Sequence, residues 1–153
     1  MTPILQVKNL QTHFFTKAGV LKAVDGVSFE IGAGEIVGLV GESGSGKSIT
    51  GFSILGLVDA PGRIVGGQIL FKGRDMTSIP PAEMQKLRGS RIAMIFQDPM
   101  MTLNPVLRIE TQMIESILTH DSSISKEEAR QRSRDTLGLV GISSPEERMR
   151  AYP

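Results

Sequence analysis

Hydrophobic and polar positions follow two different periods along the chain, which predict strands at the beginning and helices further on. Residues 4–15 and 21–31 alternate loosely between apolar and polar side chains and are rich in β-branched and aromatic types, as half-buried strands are. Turn residues at 17–19 and 32–34 follow these segments, so we predict a small antiparallel layer rather than βαβ units. A short apolar run at 35–40 predicts a buried strand.

The next segments predict a helix and a further strand. Apolar residues at helical spacing indicate a helix over residues 49–58. The sequence Asp-Ala-Pro-Gly at 59–62 breaks this pattern. Residues 64–71 then predict a strand, in which the neighbouring glycines Gly66 and Gly67 indicate a bulge.

The remaining chain alternates helix and strand signals. Two prolines at 80–81 predict the first turn of a short helix that runs to about Leu87. Residues 91–96 predict a buried strand and residues 107–119 a helix.

A last helix is predicted from Ser125 onwards. Ser125 and Glu128 have the spacing of a capping box. Glu128 and Arg132 are four residues apart, so we expect them to pair on a solvated helix face.

Composition excludes several classes of protein. The 153 residues carry 17 Lys and Arg against 16 Asp and Glu, a net charge of +1 that gives no reason to expect nucleic-acid binding. The absence of cysteine excludes disulfides and cysteine-ligated metals. No apolar run has the length of a membrane span, and the first residues lack an export signal.

The residues after the 35–40 run have the pattern G-x-x-x-x-G-K-[ST]. A strand, a glycine-rich loop and a helix in this order form an anion site, because backbone N–H groups turn inward and the helix N-terminus is partly positive. The lysine of such a loop reaches the terminal phosphates and the hydroxyl ligates Mg²⁺. A chance match in a glycine-rich chain is the alternative. The eight residues are Gly41, Glu42, Ser43, Gly44, Ser45, Gly46, Lys47 and Ser48.

A glutamine comes at the end of the strand predicted over 91–96. Gln97 is followed by Asp98 and Pro99, which end the strand. Ligands gather at the carboxyl edge of open α/β sheets, where an amide oxygen can ligate Mg²⁺ or orient a water molecule. A plain strand-ending turn is the alternative.

Three blocks of sequence, in this order and spacing, resemble the ATP-binding subunits of ABC transporters, most closely those of bacterial dipeptide and oligopeptide importers. These blocks are residues 21–31, residues 38–48, and residues 95–100 with 103–105. The resemblance covers essentially the whole chain. It implies an α/β fold, a P-loop NTPase (ABC ATPase) core with an N-terminal antiparallel β layer and the start of a helical subdomain. We expect the partial nucleotide-binding core over residues 1–99 and the helical subdomain over 100–153.

The resemblance also implies roles for individual residues. The 41–48 loop and Ile49 would bind ATP, and Ser48 and Gln97 would hold Mg²⁺, with Gln97 as the Q-loop glutamine. Phe14 falls where the family places an aromatic side chain that stacks on adenine. The neighbouring Phe15 could serve instead, and a core position is the alternative for either.

The implied function is to couple ATP binding and hydrolysis to the uptake of dipeptides, oligopeptides or similar solutes. The implied partners are permease subunits, a second ATP-binding subunit in a head-to-tail dimer and, indirectly, a solute-binding protein. Met100 and Met101 lie where such domains usually meet a permease helix. The implied location is the cytoplasmic side of the inner membrane, peripherally attached, and we expect no nucleic-acid partner.

The chain departs from the family pattern after Gln97. It contains no Leu-Ser-Gly-Gly segment, no strand ending in consecutive acids and no switch histidine, since His13 and His120 lie elsewhere and are interpreted as surface or loop residues. We therefore expect the N-terminal part of a longer subunit that binds nucleotide without turnover. The strand expected beside residues 35–40 is also absent, so we expect an exposed apolar edge.

Two other classes of function remain open. A non-enzymatic nucleotide-binding or interaction module would bind ATP without hydrolysis. Another P-loop enzyme is the second alternative, but a GTPase would require an Asn-Lys-x-Asp segment, which is absent. A kinase would require an arginine-rich lid, whereas Arg130, Arg132 and Arg134 are interspersed with acids and indicate a solvated helix face.

Overall fold

The computed structural model describes residues 3–97 and 102–153. Contacts divide the chain into two compact units, Met1–Ala93 and Met94–Pro153. The first contains β1 (Leu5–Thr16), β2 (Gly19–Ile31), α1 (Lys47–Ile54), β3 (Gly62–Phe71), β4 (Arg74–Asp75) and α2 (Pro81–Leu87). The second contains α3 (Ile109–His120), α4 (Lys126–Leu139) and α5 (Pro145–Arg150). The boundary predicted between residues 99 and 100 lies outside the described residues.

The strands of the first unit form one antiparallel sheet in the order β2-β1-β3-β4. This confirms the predicted antiparallel layer. Its apolar residues form the core of the unit together with residues from the segments that follow the sheet. The buried core residues are Leu5, Val7, Leu10, Val24, Ile69, Met76 and Met84.

A bulge interrupts the pairing of β1 with β3 at the predicted position. Asn9 and Leu10 of β1 together oppose Gly67 of β3, so the extra residue lies on β1. Gly67 has a φ of 84°, and a Cβ at this position would lie 2.3 Å from the carbonyl oxygen of Asn9. Only glycine fits this close approach, which explains the sequence signal.

The two strands predicted at 35–40 and 91–96 are not formed, so this prediction was wrong for the structure. Within residues 3–97 and 102–153, the only β-bridge that involves either segment joins Arg88 and Ile92. A parallel strand requires paired neighbours and two covered faces. The expected apolar strand edge is therefore not formed either, although Ile36, Val40 and Ile95 of these segments are more than nine-tenths exposed.

The helices follow their predicted signals closely. α2 begins at Pro81 and ends at Leu87, as predicted. α1 overlaps the helix predicted over 49–58 but begins earlier, at Lys47, and ends at Ile54, because Gly56 takes a positive φ just beyond its C-cap. At the start of α4 the capping box is complete, because the Ser125 hydroxyl accepts from the Glu128 N–H while the Glu128 carboxylate accepts from the Ser125 N–H. Helix α5 was not predicted from the sequence.

The charged residues of α4 have other partners than predicted. Arg130 is half-buried and bonds to Glu146 of α5 and to Glu110 of α3, the latter at 3.4 Å, so it joins the three helices rather than facing solvent. Arg132 contacts Asp121 at 3.5 Å, while the capping box occupies the Glu128 carboxylate.

The interpretation of His13 as a surface or loop residue was wrong. His13 lies within β1 and its side chain is only 13% exposed. Its Nε2 atom is buried without a hydrogen-bond partner among the described residues, 3.8 Å from Oδ1 of Asp25. His120 is the last residue of α3.

A buried hydrogen bond joins α1 to the sheet. The hydroxyls of Thr12 and Ser53 lie 2.8 Å apart, and Ser53 also donates to the carbonyl oxygen of Ile49 at 2.7 Å. Because a carbonyl oxygen accepts only, the Ser53 proton is committed to Ile49. Thr12 is therefore the donor and Ser53 the acceptor.

We expect Ser53→Ala to destabilise the chain more than Thr12→Val. Ser53→Ala leaves a buried Thr12 hydroxyl without its acceptor, at a cost of about 1–3 kcal/mol, whereas Thr12→Val removes the donor and leaves Ser53 bonded to Ile49, at about 1 kcal/mol. Urea unfolding of the two variants measures the difference. The reverse order of stabilities would contradict this assignment of donor and acceptor.

The second unit is expected to lose stability in acid. The bond from the Ser125 backbone holds the pKa of Glu128 below its ordinary value, and the bond from Arg130 does the same for the pKa of Glu146. Because the folded-state pKa values are lowered, this stability is fully present above the unfolded-state value, about 4.3, and is lost as the pH falls through the folded-state values.

Glu128→Gln removes one of these titrations while keeping an acceptor that a capping box tolerates. We expect the urea midpoint of the helical circular dichroism signal to fall less between about pH 6 and about pH 3 in this variant than in the unchanged chain. Equal losses in both chains would show that the capping carboxylate does not contribute to the acid response.

Candidate nucleotide-binding site

The 41–48 loop leads directly into α1 and takes a left-handed turn just before the helix. Gly44 and Gly46 have φ values of 81° and 88°, and the Ser45 N–H donates to the Glu42 carbonyl oxygen at 3.2 Å. Gly46 is the N-cap of α1, and no side chain caps the helix there. The first amides of α1 lack intrahelical acceptors, so they are available to an anion.

The backbone of β2 limits what can stand at Gly46. A Cβ at this position would lie 2.3 Å from the carbonyl oxygen of Ala23 and 3.5 Å from a methyl of Val24. A larger residue would force α1 away from the sheet. The second glycine of the motif is therefore required by packing as well as by its positive φ.

Lys47 folds back across the loop. Its ammonium donates to the carbonyl oxygens of Gly41 at 2.7 Å and Glu42 at 2.6 Å, and to Oγ of Ser45 at 3.3 Å. The two short bonds fix the positive charge beside the free amides of α1. The long bond to Ser45 is the weakest of the three, and a phosphate oxygen could replace it.

Ser48 and Ile49, the last two residues of the predicted ATP-binding segment, lie in different environments. Ser48 is exposed in the first turn of α1, where its hydroxyl is accessible. Ile49 is half-buried and its side chain packs against the core of the first unit. Ile49 can therefore offer a ligand only its amide, and its side chain contributes to the fold.

The structure places both candidate aromatics in β1 and gives them different neighbours. The Phe14 ring lies over Gly62, where an added Cβ would come within 2.6 Å of it. Phe15 is 39% exposed, and the guanidinium carbon of Arg63 lies 4.2 Å from the centre of its ring. A role for either in stacking on adenine stays a prediction.

Gln97 is exposed and lies in the second unit. The next four residues, Asp98, Pro99, Met100 and Met101, lie outside the described residues. The contacts predicted for the two methionines therefore stay a prediction. In the described ranges 3–97 and 102–153, no group of three or more His, Asp or Glu side chains is placed to hold a metal ion. Over the same residues, every helix is too short or too polar to cross a membrane.

Comparison with known proteins identifies the family of the chain. Residues 24–152 match the ABC transporter family. The chain is 49% identical to the oligopeptide transport ATP-binding protein AppD of Bacillus subtilis, covering 100% of this chain and 47% of that protein. It is 43% identical to the dipeptide transport ATP-binding protein DppD of Escherichia coli, covering 98% of this chain and 46% of that one. The chain thus spans about half the length of these curated relatives.

Solved structures share the fold. The ATP-binding cassette MJ0796, in a dimeric post-hydrolysis state bound to ADP and Pi, superposes with a TM-score of 0.82 at 23% identity, covering 97% of this chain and 61% of that one. Another dimeric structure of the same bacterial ABC transporter cassette gives a TM-score of 0.80. These matches confirm the predicted α/β fold of an ABC ATPase core. Fold, family match and relatives agree, and the chain belongs to the ABC transporter family.

Proposed function

We propose that the 41–48 loop and the first turn of α1 bind the phosphates of ATP. The observation that carries this proposal is the position of the Lys47 ammonium, held by two loop carbonyl oxygens beside the uncapped start of a helix. The backbone amides and the lysine charge both favour a polyphosphate, and the glycines leave room for close approach. Phe14, or Phe15 in its place, would contact the adenine.

Ser48 and Gln97 are the residues that would hold Mg²⁺, together with phosphate oxygens. Hydroxyl and amide oxygens are hard ligands of the kind that Mg²⁺ accepts, and this ion is usually bound by few protein groups and by substrate phosphates. When bound, it would neutralise charge on the phosphates. The exposed hydroxyl of Ser48 in the first turn of α1 fits this role.

We further propose that the chain is part of the ATP-binding subunit of an importer for dipeptides, oligopeptides or similar solutes. The names of the AppD and DppD relatives support this substrate class. The partners would be permease subunits, a second ATP-binding subunit and, indirectly, a solute-binding protein, at the inner face of the cell membrane. The division at 1–99 and 100–153 is proposed as core and helical subdomain.

By themselves, these 153 residues are proposed to bind ATP without turning it over. Hydrolysis requires an in-line water and stabilisation of the charge on the transferred phosphoryl group. The sequence supplies the phosphate loop, its lysine and Gln97, but no consecutive acids at a strand end and no Leu-Ser-Gly-Gly segment. The second candidate is a non-enzymatic nucleotide-binding module. The same absence of consecutive acids at a strand end favours it.

Lys47→Ala is expected to weaken Mg-ATP binding about 10- to 100-fold, because a hydrogen bond to a charged group contributes about 1.5–3 kcal/mol. Isothermal titration calorimetry measures this effect directly. Lys86→Ala, which removes a charge from the last turn of α2 in the same unit, is the matched control and should bind like the unchanged chain. Equal affinities for Lys47→Ala and the control would refute the proposed site.

No steady-state ATPase activity is expected from the 153-residue chain. Phosphate release under saturating Mg-ATP measures it, with the Lys47→Ala variant purified identically as the blank. Turnover that persists through purification and disappears in Lys47→Ala would overturn the proposal of binding without hydrolysis.

A further inference from the structure

The helix that carries the phosphate loop at its N-terminus ends in a glycine turn. Gly56 has a φ of 61°. Its N–H donates to the carbonyl oxygen of Ser53 at 3.1 Å, and the N–H of Leu57 donates to that of Phe52 at 2.8 Å. This is the Schellman arrangement, which satisfies carbonyls of the last helical turn. The carbonyls of Leu55 and Gly56 follow the helix and project beyond it.

A single arginine side chain binds both of these carbonyls. Nε of Arg88 donates to the Leu55 oxygen at 2.7 Å, and Nη2 donates to the Gly56 oxygen at 2.6 Å. The Arg88 side chain is half-buried. Two donors in the fixed plane of a guanidinium match two neighbouring carbonyls, which a lysine ammonium on a flexible chain does not. The positive charge also complements the negative end of the α1 dipole.

The backbone of Arg88 is itself anchored. Arg88 is the C-cap of α2 and its N–H donates to the Met84 carbonyl oxygen at 3.0 Å. Met84 is a buried core residue and lies against Gly56, where an added Cβ would be 3.2 Å from the Met84 methyl. The guanidinium therefore ties the end of α1 to a fixed part of the core.

α1 is thus held at both ends of its eight residues. At its N-terminus, Gly46 packs against the Ala23 carbonyl of β2. At its C-terminus, Arg88 donates hydrogen bonds to two carbonyl oxygens. Such a helix is about 12 Å long, so a small tilt about either end displaces the amides at the other. Even a small displacement of the donor groups is costly in a site that depends on their orientation.

We propose that Arg88 is a positioning residue of the phosphate site, acting through the C-terminal end of α1 at a distance from the ligand. This inference rests on the proposed binding of ATP. It assigns Arg88 a role in affinity beyond capping a helix. A cap that served stability alone would change the unfolding midpoint and leave the affinity of the folded chain unchanged.

The test compares Arg88→Ala, Arg88→Lys and the unchanged chain by calorimetric titration with Mg-ATP, well below the unfolding temperature. We expect an affinity loss of about tenfold for Arg88→Ala, the equivalent of one charge-assisted hydrogen bond. Arg88→Lys keeps the charge but not the paired donors, so we expect it to restore only part of the affinity. Arg74→Ala is the matched control, because Arg74 is an exposed arginine of the same unit that pairs with Glu83 of α2.

A second readout separates positioning from stability. Without nucleotide, the amide chemical shifts of residues 46–49 should move in Arg88→Lys and stay in place in Arg74→Ala, although both variants lose an arginine. This comparison also decides the question if Arg88→Ala does not fold.

Three outcomes have distinct meanings. Weaker binding in the Arg88 variants, with unchanged binding in Arg74→Ala, supports the inference. Equal binding in all folded variants, with only the unfolding midpoint of the Arg88 variants lowered, overturns the positioning role and leaves the proposed function standing. No binding by the unchanged chain overturns the proposed function and this inference with it.

Discussion

The close approach of Gly46 to the backbone of β2 is the constraint on which the candidate site depends. A side chain at this position would collide with the Ala23 carbonyl oxygen, so the loop can enter α1 only through a left-handed glycine. That turn leaves the first amides of α1 uncapped and places Lys47 where it spans the loop. The antiparallel sheet therefore supports the geometry of the proposed phosphate site.

Local signals in the sequence predicted local structure well. The alternation in β1 and β2, the proline start of α2 and the capping box at Ser125 all act over a few residues, and the structure confirms each. The apolar runs at 35–40 and 91–96 were different, because a strand exists only when another strand pairs with it. Composition reports the tendency of a segment to pair, but the partner lies elsewhere in the chain.

Charged and polar side chains were the least predictable part of the molecule. Pattern alone placed Arg130 on a solvated face and His13 at the surface, whereas Arg130 joins three helices and His13 is mostly buried within the sheet. Arg88 gave no signal at all, since its two acceptors lie more than thirty residues earlier in the chain. The sequence shows the sign of a charge, but its partner depends on tertiary contacts.

The phosphate loop is the exception, because its chemistry is contained in eight consecutive residues. The motif predicted which groups would gather, and the structure brings Gly41, Glu42, Ser45, Gly46 and Lys47 together within the first unit. The motif could not predict the contacts that other elements make with α1. β2 packs against the N-terminal end of this helix, and Arg88 at the end of α2 binds the carbonyls at its C-terminal end. The affinity of the site is expected to depend on both supports.

Amide chemical shifts during a titration with Mg-ATP test the central claim most directly. The account predicts that the largest shifts occur at residues 43–49 and saturate together, because these amides would donate to the phosphates. Saturating shifts confined to other parts of the chain, with residues 43–49 unmoved at millimolar nucleotide, would contradict it.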